Sequence, residues 1–104
     1  MPSSKYRVHL LSIAEQDLTE LISYLAAENP SAAAETLERI ESRLQSLTIH
    51  PFTGRVPRDP QLIALGYRVL VIDNYLVFYK VKGATLLVYR ILHGARDIYH
   101  LLYE

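Results

Sequence analysis

The chain predicts an α+β sandwich: an N-terminal strand, a helical hairpin, then a three-stranded antiparallel meander packed on the helices. Three observations carry this. Apolar residues recur at helical spacing from Leu18 to Leu47, strand-like runs rich in Val, Ile, Leu and Tyr fill the stretch from Gly66 to Leu92, and HPFTGRVPRDPQLIAL, with three prolines and a glycine, separates the two. At 104 residues, half of them hydrophobic, the chain suffices for one packed core and predicts a single domain over 1–104.

KYRVHLL reads as the opening strand, with Tyr6, Val8 and Leu10 on one face and Arg7 and His9 on the other. Ser12-Ile13-Ala14-Glu15 then has the form of a capping box, which predicts a helix start. Leu18, Leu21, Ile22 and Leu25 form its apolar stripe, leaving Glu15, Asp17, Glu20 and Glu28 for water. Asn29-Pro30 breaks the run, because proline disfavours helical geometry in the residue before it yet suits a first helical position. The second helix carries Ala33, Leu37, Ile40, Leu44 and Leu47 on one side, so the pair should form a hairpin with facing apolar seams. From His50 to Leu65 the prolines favour turns over a regular element. GYRVLVI, YLVFYKV and TLLVYRIL follow as strands, with Asp73-Asn74 and Lys82-Gly83 as the hairpin turns. HGARDIYHLLYE ends the chain as a short helical tail docking Ile98, Leu101 and Leu102.

Charge is divided along the chain although the total is zero. Four basic residues face seven acidic ones up to Ile49, and seven basic residues face four acidic ones from His50 onward. The second half can therefore take an anionic partner, or the halves are two differently solvated faces. No cysteine is present, which removes disulfides and thiol chemistry and suits the cytoplasm. The N-terminus lacks the apolar core of a signal peptide, and no apolar run nears the roughly 20 residues that span a bilayer, so a soluble protein is expected.

There is no glycine-rich phosphate loop and no pair of histidines at metal-binding helical spacing; His93 and His100 lie seven residues apart. No metal or cofactor is expected. The remaining chemistry is basic and aromatic. Arg68, Lys80 and Arg90 fall on the three meander strands, where neighbouring strands would bring them together to bind substrate phosphates. His93, Arg96 and Tyr99 follow the last strand as catalytic candidates: a proton carrier, a stabiliser of a pentavalent phosphorane and a stacking ring. This inventory suits RNA cleavage by the neighbouring 2′-hydroxyl. Each residue also has a structural reading: Arg90 pairs with Asp97 or with a helix acid, and strand tyrosines pack in the core.

The element order and GYRVLVIDNYLVFYKVKGATLLVYRILHGARDIY together resemble the RelE/ParE superfamily of type II toxins, over nearly the whole chain. Gly66-Tyr67-Arg68, YLVFYKV and RILHGARD carry the resemblance. It implies a small toxin neutralised by a cognate antitoxin. RelE-like members cut mRNA in the ribosomal A site, and ParE-like members poison DNA gyrase on the same fold. By the same resemblance Arg68 matches a basic strand residue and Arg96 a C-terminal catalytic arginine of the RelE-like enzymes. Leu70 and Leu76 depart from that pattern, standing where some RelE enzymes have a lysine and a phosphate-binding arginine. The leading expectation is ribosome-dependent mRNA cleavage; the alternative is gyrase inhibition without nuclease activity.

Overall fold

In the computed structural model, which describes residues 5–94, strand β1 (Arg7–Leu10) leads into helices α1 (Ser12–Glu28) and α2 (Pro30–Ser46). A short helix α3 (Pro60–Ala64) precedes strands β2 (Arg68–Ile72), β3 (Tyr75–Lys82) and β4 (Thr85–His93). The sheet order is β1-β4-β3-β2. The meander is antiparallel as the sequence predicts, but β1 adds to it parallel to β4, so the sheet is mixed. The predicted C-terminal helical tail, with Ile98, Leu101 and Leu102, lies outside the described residues.

The predicted capping box does not form. Leu11 is the residue before α1, extended and without a side-chain cap, and Ser12 is already helical. Strand pairing sets this boundary: the Leu11 amide donates to Val88 O at 3.0 Å while Leu11 O accepts from Glu15 N at 3.0 Å. Asn29 serves both helices, donating its backbone N–H to Leu25 O at 2.8 Å and accepting from Ala32 N with its side chain at 3.1 Å. Pro30 then occupies the first turn of α2, where its missing N–H costs nothing.

The helices cover one face of the sheet. Ile40 and Leu44 of α2, with Leu47 just past its end, meet Leu70, Ile72, Val77, Tyr79, Leu86 and Val88 in one core, each large aliphatic side chain contributing about 1.5–3 kcal/mol on burial. In α1 the predicted stripe is only half-buried, and the fully buried residue is Ala14, whose small side chain lets the helix approach the sheet closely.

Asp73-Asn74 turns the first hairpin with Asp73 at φ 53°, a left-handed conformation that Asp tolerates. Asp73 is also held by Arg39 of α2 at 2.8 Å. The second turn is Gly83-Ala84 rather than Lys82-Gly83, because Lys82 stays paired with Thr85 and Gly83 takes the positive φ. A bulge at Phe78/Tyr79 shifts the β3–β4 register: Tyr79 opposes Val88, Phe78 opposes Arg90, and Tyr89 is the extra residue. It changes which β4 side chains meet the helices, from Leu86 and Val88 before it to Ile91 after it.

The proline-rich segment contains α3, a regular element where only turns are predicted. Asp59 starts it by accepting from Gln61 N and Leu62 N, with Pro60 in the first turn. The segment's entry is fixed by Tyr79, whose buried hydroxyl donates to Pro51 O at 2.8 Å and accepts from Gly54 N at 2.9 Å. A side chain at residue 54 would stand 2.6 Å from the Tyr79 ring, so only glycine fits. Arg55 then pairs its backbone with Val69, 2.9 Å in each direction, and carries the chain across the edge of β2.

Burial holds the Tyr79 phenol above the ordinary value of 10.0, partly offset by the Gly54 hydrogen bond and the Arg68 charge. Its folded value is raised, so the stability it contributes is complete below the unfolded value and is lost as pH rises through the folded one. Tyr79→Phe is expected to lower stability by about 1–3 kcal/mol in urea unfolding at neutral pH by leaving Gly54 N and Pro51 O without their partner. The same variant should lose less stability than the parent in the alkaline range above that ordinary value.

Candidate functional site

Of the six residues singled out by sequence, Arg96 and Tyr99 lie outside the described residues. The sheet disperses the other four. Arg68 opposes Tyr79 and shares its helix-side face, where it donates to Gly54 O at 2.7 Å and Phe52 O at 3.3 Å. Its guanidinium also lies 4.9 Å from the centre of the Phe52 ring. Lys80 is the next residue along β3 after Tyr79, so alternation turns it to the far face. There its ammonium sits 4.5 Å from the Tyr67 ring centre and 5.0 Å from that of Tyr89.

Arg90 makes a fork-to-fork contact with Asp17, a half-buried pair, Nε to Asp17 Oδ2 at 2.8 Å and Nη2 to Oδ1 at 3.1 Å. Asp17 therefore does not face water as its helix position suggests; its side chain is 12% exposed. The reason lies in the strand lengths. β1 ends at Leu10 opposite Val88, and beyond that point β4 has no strand on this side. Asp17 accepts from Ile91 N at 3.0 Å and so supplies the acceptor that a longer β1 would have provided. His93 closes β4 opposite Tyr75, the rings edge-to-face at 5.9 Å.

Two of the concave surfaces among the described residues lie beside these side chains. One, of about 450 Å³, lies between α1 and the end of β4 and is lined by Asp17, Glu20, Leu21, Tyr24, Tyr75 and His93 among others. The other, of about 400 Å³, lies on the far face between Arg55, Arg58 and Leu62 on one side and Val69, Leu76 and Phe78 on the other. Beside it Tyr67 and Tyr89 meet edge-to-face at 5.2 Å. Burial and the neighbouring Tyr89 phenol raise Tyr67 above the ordinary tyrosine value. Among the described residues no group of His, Asp or Glu is placed to hold a metal ion. No helix among them is long and apolar enough to cross a membrane.

The pairing of Arg90 with a helix acid is as the structural reading expects, but sequence reasoning left Asp17, 73 positions away, among the solvated residues and missed the ring pair around Lys80. Neither leaves a local signal, although the acids of α1 and the meander tyrosines are visible individually.

The described residues thus form a two-helix layer on one face of a four-stranded sheet, with Lys80, Tyr67 and Tyr89 grouped on the other. The family model for the ParE toxin of type II toxin-antitoxin systems, parDE, matches residues 8–98. The chain belongs to that family, within the RelE/ParE superfamily. Among solved structures, the chromosomal ParDE toxin-antitoxin system from P. aeruginosa is similar with a TM-score of 0.71 at 20% identity, covering 88% of this chain and 98% of that one. The toxin-antitoxin complex RelBE2 from Mycobacterium tuberculosis aligns with a TM-score of 0.60 at 21% identity, covering 86% and 91%. At these identities the likeness is one of fold. No curated protein matches the chain.

The Asp17–Arg90 contact yields an asymmetric prediction. Asp17→Ala removes the acceptor for both Arg90 and the Ile91 amide, and should cost about 2–4 kcal/mol in denaturant unfolding. Arg90→Ala keeps the Ile91 bond and leaves a partly hydrated carboxylate, so it should cost less. Equal losses in the two variants would contradict the role assigned to Asp17 at the β4 edge.

Proposed function

We propose that this chain is the toxin of a toxin-antitoxin pair and arrests growth in the cytoplasm by binding DNA gyrase rather than by cutting RNA. The observation that carries this reading is the dispersal of the strand cations. Metal-free cleavage by a 2′-hydroxyl needs cations converging on one phosphate. Arg68 is bound to loop carbonyls on one face, Lys80 lies between tyrosines on the other, and Arg90 is paired with Asp17. Leu70 is 2% exposed in the core and Leu76 lines the far-face groove, so neither position adds a charge. A protein target asks instead for surface, and the helical hairpin offers one, with Tyr24 68% exposed on α1 amid acidic neighbours.

Family membership supports a cognate antitoxin as partner, and the two similar structures described above are toxin-antitoxin systems. Ribosome-dependent mRNA cleavage is the second reading. It is favoured by the sequence around the end of β4, where Arg96 and Tyr99 follow His93 closely. In that reading Arg96 stabilises the transition state, His93 moves the proton and Tyr99 stacks on a base, while Arg68, Lys80 and Arg90 bind phosphates.

The purified chain is expected to inhibit gyrase in a supercoiling assay and to leave mRNA intact in cell-free translation. Ribosome-dependent cuts that disappear in Arg96→Ala, with supercoiling unaffected, would replace the gyrase reading with the nuclease.

A further inference from the structure

The charge division seen along the sequence becomes a division between faces. Glu15, Glu20, Glu28, Glu35, Glu38 and Glu41 are exposed on the helical layer. On the far side stand Arg55 and Arg58, both exposed, with Lys80 and Lys82 carried to that face by strand alternation. The cleft of about 450 Å³ belongs to the acidic side, and the shortness of β1 leaves room for it. Ala14 lets the start of α1 close on the sheet. Farther along the helix, past the end of β1, Leu21, Tyr24 and Leu25 face Tyr75 at the start of β3 and Ile91 and His93 at the end of β4 across open space.

The lining divides by chemistry. Leu21, Leu25 and Ile91 make an aliphatic wall, Tyr24 and Tyr75 add rings, and Asp17 and Glu20 add carboxylates; among the described residues no lysine or arginine lines the cleft. The two carboxylates are not equivalent. Asp17 is already engaged by the Arg90 guanidinium and the Ile91 amide, so it belongs to the framework. Glu20 is exposed and accepts only a neutral partner, Gln16 Nε2 at 3.1 Å, with no ion pair to offset its charge among the described residues. Tyr24, one turn farther along, is 68% exposed, the most exposed large hydrophobic side chain described.

An aliphatic wall, aromatic rings and one uncompensated carboxylate together suit a cation on an apolar stem. The stem packs on Leu21 and Leu25, the ring faces attract the charge, and Glu20 pairs with it. A purely apolar ligand would bury Glu20 without a partner, and an anion would be repelled by it. We infer that this cleft receives an arginine or lysine side chain of the protein target, so that the segment of gyrase bound by the helical hairpin is basic. The inference rests on the gyrase reading above. Tyr24 closes over the inserted stem from the rim, as an exposed aromatic anchor does at the centre of a protein contact.

The test uses the full chain and purified gyrase, reading both supercoiling inhibition and the dissociation constant, with Glu20→Lys and, separately, Tyr24→Ala. Glu41→Lys, on α2 and outside the cleft lining, makes the same charge change elsewhere on the acidic layer. All three side chains are exposed, so thermal melts should match the parent. Half-inhibition and dissociation constant should rise roughly tenfold or more in Glu20→Lys and in Tyr24→Ala, and stay within about twofold in Glu41→Lys. Inhibition unchanged in both cleft variants would overturn the assignment of the cleft. An equal loss in Glu41→Lys would show diffuse attraction to the whole helical layer and overturn it too. A parent chain that neither binds gyrase nor inhibits supercoiling would overturn the gyrase reading itself, before any variant is compared.

Discussion

The phenol of Tyr79 is the polar atom on which the arrangement turns. It is fully buried at the centre of β3, and a buried hydroxyl must find partners or destabilise the fold. It finds them in Pro51 O and Gly54 N, so the chain leaving α2 must run past the end of the helix-side core before doing anything else. Arg68 reinforces the same turn from the adjacent strand. Only then does Arg55 pair with Val69 and cross the edge of β2, which places residues 56–62 on the opposite face and creates the groove there. A core tyrosine thereby determines the shape of a surface on the far side of the sheet.

The same logic governs the cations. On strands, residue types that suit phosphate binding also suit architecture, and here architecture takes several of them. Arg90 compensates Asp17 while that carboxylate completes the short edge of β4, and Lys80 sits over two tyrosine rings that would otherwise present their faces to solvent. Fold alone therefore does not fix the chemistry, because strand cations on one backbone either converge or are taken up by architecture.

The opposed charge of the two faces gives a molecule of zero net charge two different surfaces. One is an acidic helical hairpin with an exposed Tyr24; the other is a basic, aliphatic groove. The two surfaces are built from different residues of one small domain.

Helical spacing, the Asn29-Pro30 break and the Asp73-Asn74 turn were legible in sequence because each is a local preference that tertiary contacts reinforce. So were the apolar stripe of α2 and the family likeness carried by the meander. The start of α1 at Ser12 was legible but its cap was not, since the residue before the helix is Leu11, bonded to Val88, and no side chain caps it. α3 was also missed, although Asp59-Pro60 is a helix-start signal, because the surrounding prolines outweighed it. The candidate site was visible as residue types and invisible as geometry. Arg68 and Lys80 stand twelve positions apart and on opposite faces, and Asp17 meets Arg90 across the whole chain. Sequence by itself determined the two long helices, the strands and the charge of each half, because those follow from neighbours along the backbone. Tertiary structure alone decided which cations share a face, because that depends on strand register, on the bulge beside Tyr79 and on where β1 stops.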